Sequence, residues 1–183
     1  MTPSKLVTRD EAGFTLIDLL FVVALIGTIC TIALPTLLRA RTSAQAASAI
    51  ADMRVVNSAQ LSYAITCGAG FYAPDLPTLG LIPVGSRVPF LSQDLTAAPT
   101  VQKSGYTIEM MGSSVAGAPQ GCSGLPAGQG APAYKAGATQ IDLSNPLQRH
   151  FATNATGVIV EDAASLYAGM PEAGPPVAGT PIQ

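Results

Sequence analysis

The chain has 183 residues, room for one modest domain beside a membrane segment. Only 11% of residues are charged, against about 25% in a typical soluble domain, and the formal net charge is −2. That balance excludes a global basic field of the kind that holds nucleic acid.

Hydrophobic content is 48% but uneven, because much of it lies between Phe14 and Leu38. Residues 1–13 form a short polar leader that ends in Gly13. Phe14-Thr15-Leu16-Ile17 then leads to one carboxylate, Asp18, and an uncharged run from Leu19 to Leu38. At 1.5 Å rise per residue that run spans about 30 Å, one hydrocarbon thickness, so 14–38 is predicted to be a transmembrane helix. A buried core helix this apolar would need a larger domain around it. A cleaved secretory signal expects an apolar stretch of about 7–15 residues followed by small residues. A carboxylate in such a span is costly and implies a use. Lys5 and Arg9 precede the span while Arg39 and Arg41 follow it, so basic residues alone leave its orientation open.

Helical character is predicted to continue over residues 39–67, since Thr42 to Thr66 lacks Gly and Pro. Ala46, Ile50, Met53, Asn57, Leu61 and Ala64 recur at helical spacing, with Asn57 the polar exception. This stripe is expected to cover the domain, while 14–38 is not. One helix from Phe14 to Ala64 would be about 75 Å long. Gly27 and Pro35 bracket a weaker section, because Pro35 leaves the Thr31 carbonyl without its helical partner.

Gly68-Ala69-Gly70 should end the helix. Phe71 to about Ser104 reads as an irregular, Pro-rich connection with one short turn near Leu79 or Leu91. Strands are predicted over 105–111, 131–135, 147–153 and 158–160, with Asn154-Ala-Thr-Gly157 as a hairpin turn. Residues 68–169 thus form a globular unit with an antiparallel sheet of three or four strands. Residues 170–183, rich in Gly and Pro, read as a flexible tail. The fold class is α+β: a long N-terminal helix, half transmembrane and half amphipathic, laid against a small sheet.

Little in the chain suggests catalysis. His150 stands alone, and no Cys/His set has metal-ligand spacing. The distal carboxylates Asp142, Glu161, Asp162 and Glu172 show no clear cation-binding pattern. No catalytic residue, metal or cofactor is predicted. Asn154-Ala-Thr156 has the form of a glycosylation sequon but reads as a plain turn.

The order Gly-Phe-Thr-Leu-Ile-Asp-Leu-Leu-Phe-Val-Val-Ala-Leu-Ile-Gly-Thr-Ile over residues 13–29, with Pro35 downstream, resembles the signature of type IV pilins. That family includes the pseudopilins of type II secretion. The match covers Gly13 to about Arg41 and the following helix more loosely. The resemblance implies cleavage between Gly13 and Phe14 by a prepilin peptidase, which also methylates the new Phe14 amine. It implies a bacterial inner-membrane subunit with its C-terminal domain in the periplasm, later extracted into an extracellular pilus or a periplasmic pseudopilus. The implied partners are copies of the chain itself, the peptidase, the assembly platform and, before assembly, the lipid bilayer. Asp18 would pair with the Phe14 amine of a neighbouring subunit, offsetting the cost of its burial. The family usually has glutamate there; aspartate is one methylene shorter and reaches less far. The segment from Gly27 to Pro35 is expected to provide helix flexibility. In an oxidising periplasm Cys67 and Cys122 are expected to form a disulfide, with two free thiols as the alternative, and Cys30 reads as a small apolar residue. A pilus subunit is the leading expectation. A secretion pseudopilin and a minor tip subunit that binds a surface or DNA are the alternatives.

Overall fold

A computed structural model describes residues 14–142 and 148–182. Gly13 and the rest of the leader, and Leu147 of the expected third strand, lie outside the described residues. The chain divides into two compact units, Met1–Thr42 and Ser43–Gln183. Helix α1 is assigned from Leu16 to Thr66 and so contributes to both.

In the first unit every side chain from Phe14 to Arg41 is exposed. No stripe is set aside for a protein core. The backbone stays helical through both Gly27 and Pro35. The hydroxyls of Thr28, Thr31 and Thr36 each donate to the carbonyl three residues back, at 2.7–2.8 Å. Their polarity is thereby satisfied without water, as an apolar surrounding demands.

The second unit combines the remainder of α1 with two one-turn helices and a sheet. Helix α2 is Leu76–Leu79 and α3 is Gln93–Thr96. Asp75 caps α2 by accepting the Thr78 amide at 2.9 Å. The strands are β1 Thr100–Lys103, β2 Tyr106–Met111, β3 Lys135–Gln140, β4 His150–Asn154, β5 Ile159–Asp162 and β6 Thr180–Ile182. They form an antiparallel meander in the order β1-β2-β3-β4-β5-β6.

Ala46, Ala49, Met53, Val56, Tyr63 and Cys67 of α1 and its C-terminal end pack on Tyr106, Ile108 and Met110 of β2, Ala136 and Ala138 of β3 and Phe151 of β4. Burying side chains such as Met53, Val56 and Phe151 contributes about 1.5–3 kcal/mol each.

Two polar residues sit within this helix–sheet contact because each has partners. Gln60, fully buried, donates to the Ala73 carbonyl and accepts the Ala73 amide, both at 2.9 Å, as a neighbouring strand would. Asn57 accepts from the Tyr134 hydroxyl at 2.8 Å and donates to the Gly157 carbonyl at 3.1 Å. The buried stripe differs from the expected one at Leu61, which is 56% exposed, while Gln60 and Tyr63 point inward. A face running 53-56-60-63 leaves position 61 on the opposite side.

The other face of the sheet is also covered. Leu166 and Met170 pack with Ala152 of β4 and Val160 of β5 in a second small core. Tyr167 lies on Gly137 of β3, where an added Cβ would approach the Tyr167 Cβ to 2.8 Å. Cover on both faces explains why all five residues of β4 are buried.

The structure also departs from the sequence-based expectation elsewhere: one short turn was expected between Phe71 and Ser104, and two one-turn helices, α2 and α3, are found there. The sheet has six strands, and β1 lies inside the segment read as irregular. The strand expected over 131–135 instead begins at Lys135, and Ala131 makes only an isolated bridge to Tyr72. Residues 170–182 are not a free tail: Met170 is buried, β6 pairs with β5, and the Glu172 carboxylate accepts from the Ser113 amide and hydroxyl at 2.9 and 2.7 Å. Side-chain anchors and an edge-strand pairing outweigh the looseness that Gly and Pro suggest.

Candidate functional site

The first turn of α1 is built by Thr15 and Asp18. The Thr15 amide donates to the Asp18 carboxylate at 3.2 Å, and the Asp18 amide donates to the Thr15 hydroxyl at 3.3 Å. The Thr15 hydroxyl also donates to that carboxylate. This reciprocal arrangement is a capping box, with aspartate in the place of the more usual Glu or Gln. It satisfies amides that the helix itself leaves without partners, and the carboxylate also complements the positive end of the helix dipole. Sequence reasoning missed the role of Thr15, although Thr-x-x-Asp before an apolar run is its signal.

Phe14, 82% exposed, begins the apolar surface. From there to Leu38 apolar side chains point in all directions, and no part of the most apolar stretch of α1 is buried. A helix apolar on every face needs cover from lipid or from other helices. It is compatible with a single-pass membrane anchor.

Gly27 and Pro35 are within the helix, and Cys30 is a free, exposed cysteine. Cys67 and Cys122 form a disulfide across a sequence separation of 55, and the Cys122 amide also donates to the Cys67 carbonyl at 3.2 Å. The bridge ties the end of α1 to the loop between β2 and β3 and stabilises by about 4 kcal/mol in the chain-entropy treatment.

His150 is buried, and burial pushes its pKa below the ordinary histidine value. Asn154 is buried too, with its amide nitrogen donating to the Pro171 and Gly174 carbonyls, both at 2.9 Å. It is a structural turn residue inaccessible to a glycan. Among the described residues no three His, Cys, Asp or Glu side chains converge as metal ligands.

No protein-family model, curated protein or solved structure matches the chain.

Proposed function

We propose that this chain is a structural subunit of a type IV pilus. The observation that carries the reading is the N-terminal part of α1, apolar and exposed on every face, with one carboxylate held in its first turn. Such a helix is suited first to lipid and then to a bundle of identical helices. Repetition of one heterologous contact generates a helical polymer. Cleavage after Gly13 would create the Phe14 amine, and Asp18 would neutralise the amine of a neighbouring copy.

Intact-mass analysis of assembled material tests this reading. The expected subunit begins at N-methylated Phe14. Retention of residues 1–13 in the polymer would overturn it. Recovery in filaments sheared from the cell surface fits a pilus. Confinement to the periplasm, with loss of protein export on deletion, would move the assignment to a secretion pseudopilus.

A further inference from the structure

The backbone pairing between β3 and β4 runs from Lys135↔Asn154 to Ala138↔Phe151. Beyond it, side chains continue the connection. The Gln140 amide donates to His150 Nδ1 at 3.2 Å, and the Arg149 amide donates to Gln140 Oε1 at 3.1 Å. A backbone N–H can only donate, so Nδ1 must be unprotonated and the ring carries its proton on Nε2. Nε2 faces Gln148 Oε1 at 3.5 Å.

Protonation would put an N–H on Nδ1 directly against the Gln140 N–H. Two donors facing each other in a buried site cannot both be satisfied. An alternative acceptor stands on the other side: Asp162 is opposite His150 in the β4–β5 register. Its charge favours the protonated ring, whereas burial disfavours it. Among the described residues, the other charged groups near this end are Arg149, paired with Glu161 toward the α1 side of the sheet, and Asp142, just after β3. Glu109 and Lys135 lie on the His150 side of the sheet, near Tyr167 of the covering segment.

We infer that His150 is a proton-operated latch: neutral, it closes the end of the β3–β4 ladder on the Gln140 amide; protonated, it releases that amide and turns to Asp162. Strand β3 stays attached to β2 through Tyr106↔Gln140, so the opening is confined to one side of β3.

The chain has one histidine, so its ring resonances need no assignment by mutation. The test is an NMR titration of the full chain in detergent micelles, with amide-exchange protection measured at Gln140. Protection of Gln140 is expected to fall as His150 protonates, by up to about tenfold for each pH unit its midpoint lies below the ordinary value. His150→Asn, which keeps an acceptor near the Nδ1 position but does not titrate, should hold that protection level. Asp162→Asn should move the His150 midpoint downward. Constant Gln140 protection through the His150 titration would overturn the latch, as would an unmoved midpoint in Asp162→Asn.

Discussion

The Asn57 carboxamide oxygen accepts a hydrogen bond from the Tyr134 hydroxyl at 2.8 Å, joining α1 to the residue that precedes β3. Burial raises the Tyr134 pKa, so the phenol remains a donor across the neutral range. Asn57→Leu should therefore cost about 1–3 kcal/mol, since it strands partners on both sides. Tyr134→Phe should cost less, about 1 kcal/mol. Thermal unfolding of both single variants and the double variant should show coupling; strict additivity would refute the contact.

Gly137 has no room for a methyl group beneath Tyr167. Gly137→Ala should destabilise by about 1–3 kcal/mol through overpacking. The same substitution in a Tyr167→Ala background should cost clearly less. Equal costs in the two backgrounds, read by denaturant unfolding, would contradict cover of the sheet by the C-terminal segment.

Lys103 bridges Asp52 at 2.8 Å and Asp94 at 2.7 Å. Hydrogen bonding to Asp52, then to Asp94, raises the Lys103 pKa, and the hydrogen bond from Lys103 lowers that of Asp94. The Lys103 contribution is complete below its ordinary value of 10.5 and is lost as pH rises through the raised one. The Asp94 contribution is present above its ordinary value of 3.8 and is lost as pH falls through the lowered one. The exposed Asp94 arm adds little, because solvent screens it. Lys103→Met should nonetheless cost about 1–3 kcal/mol near neutral pH, because it leaves the Asp52 carboxylate without its counter-ion. Stability curves against pH should fall less steeply on the alkaline side in this variant, the remaining fall coming from buried phenols such as Tyr134, and an unchanged curve would exclude the bridge as a contributor.

Asp18 caps the first turn of α1, and on the filament reading its charge has a second, separable role. Asp18→Asn retains an acceptor for the Thr15 amide but removes the charge. On the filament reading, both Asp18→Ala and Asp18→Asn stay membrane-bound and fail to enter filaments, while Asp18→Glu assembles. Normal filament yield from Asp18→Asn alone would show that the cap, and not the charge, matters.

The long helix and its two chemical halves were legible in the sequence, because hydrophobicity and helical period are local properties. The apolar run to Leu38, the helix end at Gly68–Gly70 and the turn at Asn154–Gly157 all follow from residues close together in the chain. Strand β3 was not legible in the same way. Lys-Ala-Gly-Ala-Thr-Gln has weak strand propensity, and its small residues make sense only beneath α1 on one face and Tyr167 on the other. The order of the C-terminal segment was equally hidden, since Glu172 finds Ser113 and β6 finds β5 only after the chain has folded back. Local sequence pattern is enough for the apolar helix, its carboxylate and its amphipathic continuation. Folding alone selects which small residues become strand, which polar residues are buried with partners, and that Leu166, Tyr167 and Met170 cover the second face of the sheet. Those outcomes depend on contacts between residues far apart in sequence, which no local pattern encodes.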